Sequence, residues 1–156
     1  MSRAVIFALF CAVLCSCYGS CVAYVYEDCG STLGKFSDVS VTGCQTTDEN
    51  CALKRGTNAT ISIKFKPNAH ISQVLIRVYG VMLDIPIPFP LDKPDMCKDP
   101  DCGVKCPLEK DQEYTYTTTM YVQRKFPSVN VYIKWEFVDD KENKIVCVIF
   151  PARITT

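Results

Sequence analysis

The sequence predicts an all-β domain folded as a β-sandwich, and three observations carry that prediction. The first is a period of two in apolar character, the mark of a strand with one buried face. Ile61, Ile63 and Phe65 alternate with Ser62, Lys64 and Lys66, and Val74, Ile76 and Val78 with Leu75 and Arg77. Tyr114, Tyr116, Thr118, Met120 and Val122 share one face of a Thr- and Tyr-rich segment. The clearest strand sets Val129, Val131, Ile133, Trp135 and Phe137 against Asn130, Tyr132, Lys134 and Glu136. The second observation is the turn chemistry between such segments, above all the polar run from Asp139 to Lys144, which is expected to close a hairpin. The third is the lack of any amphipathic helical period or internal repeat. With shorter candidates at 24–27, 35–41 and 145–154, about seven strands are expected, arranged as two antiparallel sheets.

In chain order, the N-terminus reads as a secretory signal peptide over residues 1–23. Arg3 supplies a positive start, Ala4 to Cys17 are free of charge, and Cys21 and Ala23 fit the small-residue positions ahead of Tyr24. Cleavage anywhere in 19–23 fits the pattern, and the apolar run is short for a membrane span. Cleavage before Tyr24 leaves 133 of the 156 residues and takes Arg3 from the 17 basic side chains, leaving 16 against 17 acidic ones. That is the size of one domain with a single core. Near-zero charge with no basic block argues against nucleic acid as a partner. The expected location is secreted or extracellular, or the lumen of an organelle such as the lysosome, in any case oxidising.

Residues 85–90, Ile-Pro-Ile-Pro-Phe-Pro, stand out. Proline fixes φ and has no backbone donor, so the run is stiff, extended and confined to a sheet edge. Ile85, Ile87 and Phe89 fall on one face and Pro86, Pro88 and Pro90 on the other. Leu83 extends the apolar alternation by one more position. Such an edge suits the rim of an apolar pocket; it also suits a plain edge strand, and alternation alone does not separate a filled interior from a hollow one.

Eleven cysteines are present. Cys11, Cys15, Cys17 and Cys21 lie in the leader region. Cys29, Cys44, Cys51, Cys97, Cys102, Cys106 and Cys147 remain, an odd set that leaves at least one unpaired within the chain. Cys44 and Cys51 are close enough to close a small loop, and a Cys29–Cys147 bond would staple the two ends. Cys97, Cys102 and Cys106 share one loop. Zinc ligation there is disfavoured against oxidation in a secreted chain. Asp92, Asp95, Asp99 and Asp101 lack the order of an EF-hand, so no metal is expected.

Catalysis finds no support. The single histidine, His70, follows a turn-like Pro67-Asn68-Ala69, and Asp139 and Asp140 fall where a turn is expected. No nucleophile elbow, phosphate loop, zinc-protease or dinucleotide motif occurs. The expectation is a binding protein, not an enzyme, with no cofactor. Asn58-Ala59-Thr60 forms an N-glycosylation acceptor at Asn58 just before a strand.

Taken in order, EDCGS at 27–31, LKRG at 53–56, NAT at 58–60, GVMLDIPIPFP at 80–90, DMC at 95–97, CPLEKDQEYTY at 106–116 and FPSVNVYIKWEFVDD at 126–140 resemble the MD-two-related lipid-recognition (ML) family. Within it they look most like the type-two Niemann–Pick C cholesterol-carrier branch. The resemblance covers nearly all of 24–156. It implies an immunoglobulin-like β-sandwich whose sheets part to admit a lipid, and disulfides Cys29–Cys147, Cys44–Cys51 and Cys97–Cys106. It places sterol contacts on Phe89, Val122 and Phe126, with Trp135, Tyr116 and Ile87 lining the same pocket. Phe126 stands where a tyrosine is usual. It implies docking on a membrane-protein acceptor through Met82, Leu83, Pro94, Asp95 and Lys98, with Asp84 replacing the usual glycine and Cys102 added to the loop. A Cys21–Cys102 bond is conceivable if cleavage leaves Cys21.

The function so implied is carriage of a sterol such as cholesterol between membranes, or to a membrane partner, by a monomer with transient membrane contact. The alternatives are an extracellular carrier of fatty acids or small hydrophobic signals, and innate-immune lipid recognition, for which dimerisation through Cys102 would be a sign.

Overall fold

The computed structural model describes residues 25–44 and 50–156. The expected leader, with Cys21 and the cleavage region, lies outside the described residues. The described chain is all-β with nine strands: β1 Glu27–Asp28, β2 Gly34–Val41, β3 Cys51–Lys54, β4 Asn58–Pro67, β5 Leu75–Met82, β6 Ile85–Phe89, β7 Tyr114–Tyr121, β8 Asn130–Val138 and β9 Lys144–Thr155. One 3-10 turn, Met96–Lys98, is the helical exception.

The strands form two sheets, one ordered β1-β9-β8-β5-β6 with β3 also on β9, the other β2-β4-β7. All pairs are antiparallel except β3 with β9, where Cys51 lies beside Ala152 and Lys54 beside Thr155. The four alternating segments became β4, β5, β7 and β8, and the Asp139–Lys144 run closes the β8–β9 hairpin. There the Asp139 carboxylate accepts from the backbone N–H of Lys141 at 2.9 Å and of Asn143 at 2.8 Å. The strand number exceeds the expected seven because β3 and β6 add to it. β3 is four residues with one partner, and its Cys-Ala-Leu-Lys sequence is too short to establish a period.

The two sheets close tightly at one end. Phe65, Tyr116 and Phe137 are fully buried there, with ring centroids 5.2 Å apart for Phe65–Phe137 and 5.0 Å for Tyr116–Phe137. Edge and tilted contacts of this kind add to their burial. Gly34 makes the closure possible: a Cβ at this position would lie 2.9 Å from the Lys66 carbonyl oxygen and 3.0 Å from that of Ile145, so only glycine admits the approach.

Disulfides join Cys29 to Cys147, Cys44 to Cys51 and Cys97 to Cys106, with Cα separations of 5.0, 4.6 and 5.3 Å. Cys102 is the free cysteine among the described residues and is fully buried. Its thiol faces the carbonyl oxygens of Asp99 at 3.2 Å and Met96 at 3.4 Å. The sign that would have favoured immune recognition, dimerisation through Cys102, finds no support in this placement: the sulfur is enclosed by its own loop.

Candidate functional site

The proline run forms a sheet edge, as its missing donors require. β6 pairs with β5 alone, from Val78–Phe89 to Met82–Ile85. The two are joined by a two-residue turn, Leu83 and Asp84, with φ of 49° and 63°. Positive φ at both central positions is the turn geometry that matches strand twist in a hairpin. Leu83 therefore does not continue the alternating face of Ile85, Ile87 and Phe89; it caps the hairpin tip and is 95% exposed. Nor is that face buried: Ile85 and Ile87 remain 63% and 47% exposed. Alternation here reports pleating without full burial.

What lies inside the edge is a gap. Away from the closed end the sheets part around a cavity of about 370 Å³, within the range of roughly 300–1,000 Å³ typical of small-molecule sites. Ala59, Ile61, Met120 and Val122 line it from one sheet and its connections, and Val78, Val131, Ile133, Trp135 and Phe150 from the other. Ile87, Phe89 and Phe126 complete the wall beside the hairpin. The Phe89 and Phe126 rings meet edge-on, centroids 5.9 Å apart. The loop carrying Phe126 is tied down by Arg55, whose Nη1 donates to the Phe126 carbonyl at 3.0 Å. Val122 is held on both sides, its N–H donating to Thr57 at 2.9 Å and its carbonyl accepting from Gly56 at 2.7 Å. Among the described residues, Lys125, in an exposed loop, is the one charged side chain that borders the cavity.

The residues expected to line a pocket thus come together in all but one case. Phe89, Val122, Phe126, Trp135 and Ile87 border the cavity. Tyr116 does not: it is 1% exposed in the packed end, its ring 6.3 Å from that of Trp135, behind the cavity wall. Its hydroxyl bonds to Thr118, and burial pushes its pKa well above the ordinary tyrosine value. It shares the face of Met120 and Val122, but the sheets are in contact at its level and apart at theirs. Lining residues that the sequence reading did not single out include Ile61, Met120, Val131 and Phe150. Period-two alternation marked the inward face of each strand without locating where that face meets empty space.

The docking set does not form one patch. Met82 and Leu83 lie at the hairpin end of β5. Pro94 and Asp95 lie at its start, where the Pro94 carbonyl accepts from Ile76 and Asp95 bridges to Leu75. Met82 lies six positions beyond Ile76, about 20 Å along a strand. The Asp95 carboxylate is also engaged locally, accepting from the Cys97 N–H at 3.0 Å and pairing with Lys98 at 3.1 Å. His70 sits 3.3 Å from Glu109 with both side chains mostly exposed, away from the cavity wall. Cys97 and Cys106 are joined to each other, and no cluster of His, Cys, Asp or Glu suited to a metal occurs among the described residues. Asn58 is exposed at the first position of β4.

A disulfide-stapled β-sandwich with an apolar cavity open between its sheets is the class this fold and site define. The chain belongs to the ML domain family, whose model matches residues 23–154. It is 46% identical over 132 residues, 85% of this chain and 88% of the relative, to the NPC intracellular cholesterol transporter 2 homolog a of Drosophila melanogaster. It is 34% identical over 129 residues, 83% of each chain, to NPC intracellular cholesterol transporter 2 of Bos taurus. A crystal structure of a Niemann–Pick type C2 protein from the Japanese carpenter ant superimposes with a TM-score of 0.82 at 47% identity, covering 85% of this chain and all of that one. Chicken MD-1, solved with lipid IVa, shares the fold alone at 14% identity and a TM-score of 0.54.

Proposed function

We propose that this protein carries a sterol in the cavity between its sheets, shielding it from water in transit and releasing it at a membrane or to a membrane-bound acceptor. The observation that carries this reading is a cavity whose wall is almost wholly apolar. A sterol is a rigid apolar plate with one hydroxyl, so it loses little conformational freedom on entry and needs few polar partners. The relatives named as cholesterol transporters support the same ligand class. Ile87, Phe89 and Phe126 form the entrance beside the hairpin edge, and the buried Val122, Val131 and Trp135 the walls further in. No catalytic group is required. The protein acts as a monomer in an oxidising lumen or outside the cell, consistent with its three disulfides.

The hairpin tip is the proposed hand-over face. Leu83 is almost fully exposed and held at positive φ. Exposure and strain act against it together, which is the combination found where strain serves function.

Titration of the oxidised protein with dehydroergosterol tests carriage directly, with Trp135, the only tryptophan of the chain, as energy-transfer donor. Saturable transfer is expected in the native protein. Phe89→Ala, which removes a cavity wall while most of the core is untouched, is expected to weaken binding about 10- to 60-fold, from roughly 1.5–2.5 kcal/mol of lost apolar contact. Equal affinity in the folded variant would reject the placement of the ligand. Saturable binding of a long-chain fatty acid with none of the sterol would keep the cavity and replace the ligand.

A further inference from the structure

The outward face of the β4–β7 pair carries a ladder of matched side chains. Ser62 Oγ lies 3.1 Å from Thr117 Oγ1, and Thr60 Oγ1 lies 2.8 Å from Thr119 Oγ1. Each is a cross-strand partner of the other in the register. These hydrogen bonds establish that the even-numbered β4 side chains and odd-numbered β7 side chains share this face. The next rung is Asn58 opposite Tyr121. Asn58 is exposed and heads an Asn-Ala-Thr acceptor sequence; Tyr121 is 49% exposed, among the few large apolar side chains left so open. Directly opposed residues in an antiparallel pair have Cβ atoms about 4.5–5.5 Å apart.

We propose that Asn58 carries an N-linked glycan whose first sugar lies against the Tyr121 ring, so that the modification completes the outer ladder and covers an exposed aromatic side chain. In the attachment step the Asn58 amide nitrogen displaces the pyrophosphate of a lipid-linked oligosaccharide donor. A C–N bond forms at the anomeric carbon, the sugar–phosphate C–O bond breaks, and the amide proton leaves with the departing pyrophosphate or to solvent. A pyranose ring presents a face of C–H groups of low polarity, suited to the electron-rich face of an aromatic ring. The neighbouring rungs are short hydroxyl side chains, and Tyr121, which also borders the cavity, keeps about half of its surface open. The Val122 backbone, bonded to Gly56 and Thr57 immediately beyond, gives the rung a fixed base on which the contact forms.

The full chain expressed in a eukaryotic secretory host tests this independently of the ligand. Peptide mass spectrometry reads occupancy at Asn58, and an unmodified Asn58 in the secreted protein would overturn the proposal. The purified glycoprotein is then trimmed to a single N-acetylglucosamine and compared with Asn58→Gln, each with Tyr121 and with Tyr121→Ser. With Tyr121 present the single sugar is expected to raise Tm by about 2–4 °C, and its acetyl and ring protons to show ring-current shifts. In Tyr121→Ser both effects are expected to vanish. An equal Tm increment in both backgrounds, or sugar protons at their ordinary shifts, would show an attached glycan that does not touch the ring and would overturn the pairing. Tyr121→Leu, which keeps an apolar side chain without a ring current, guards against a folding defect in the serine variant.

Discussion

Replacing Leu83 by asparagine is expected to make this protein more stable and, at the same time, slower at its proposed task. Leu83 is held at φ 49° beside Asp84 at φ 63°. For an L-residue with a bulky side chain the left-handed region costs about 1–2 kcal/mol, whereas asparagine and glycine adopt it readily. At 95% exposure Leu83 has almost no packing to lose. Leu83→Asn therefore removes strain without opening a cavity, for a gain of about 1 kcal/mol and a rise in Tm of about 3–5 °C for a domain of this size. On the functional side, full burial of a leucine side chain is worth roughly 1.5–3 kcal/mol. If half of it enters a membrane surface on docking, its removal costs about 1 kcal/mol, a roughly fivefold slower transfer of dehydroergosterol to acceptor vesicles. Equilibrium sterol affinity is expected to stay unchanged, because Leu83 is absent from the cavity wall. Thermal unfolding and stopped-flow transfer read the two effects separately, with Leu83→Gly as a second variant. A lower Tm would refute the strain argument. Unchanged transfer with vesicles in excess would refute the hairpin tip as the hand-over face.

The outer face of the larger sheet makes a pH prediction. Glu136 is 4% exposed, with Lys134 Nζ at 2.8 Å and Lys144 Nζ at 3.1 Å. Burial pushes its pKa up, but hydrogen bonds from the two lysines more than reverse that, leaving the carboxyl below its ordinary value of 4.5. A depressed carboxylate contributes stability above its unfolded pKa and loses it as pH falls through the folded one, so the pair is intact at mildly acidic pH and fails below about pH 4. Glu136→Gln is expected to cost about 1–3 kcal/mol at neutral pH, below the figure for a sealed pair because both lysines reach water; a Tm profile against pH checks this, and an unchanged acid limb would contradict it. The buried Cys102 thiol, whose pKa is pushed up by burial, is expected to resist a thiol reagent in the native oxidised protein and to react once the protein is unfolded with its disulfides intact. Rapid native reaction would mean that the loop opens.

Much of the fold was legible because a strand with one buried face writes its period into the chain. Ile61, Ile63 and Phe65 are all buried on β4, as are Val131, Trp135 and Phe137 on β8. β6 was recognisable as an edge from its prolines alone, since a strand without donors has only one place in a sheet. Where the reading failed, side chains were asked to report a distance between layers. Tyr116 and Met120 share an inward face, yet one is packed among aromatic rings and the other borders the cavity. Leu83 fits the alternation in sequence alone, since the two-residue turn it forms with Asp84 takes it off that face.

By itself, then, the sequence determined the strand class, the inward face of each strand, the edge position of the proline run and, through its family motifs, the pairing of the cysteines. Tertiary structure alone decided where the sheets touch and where they part, because sheet separation depends on twist and on side chains brought together from strands distant in the chain. That separation put Trp135 at a cavity wall and Tyr116 behind it, split the expected docking residues between the two ends of β5, and enclosed Cys102. Local periodicity carries no information about such distances, since each is set by partners that the alternating residues do not neighbour in sequence.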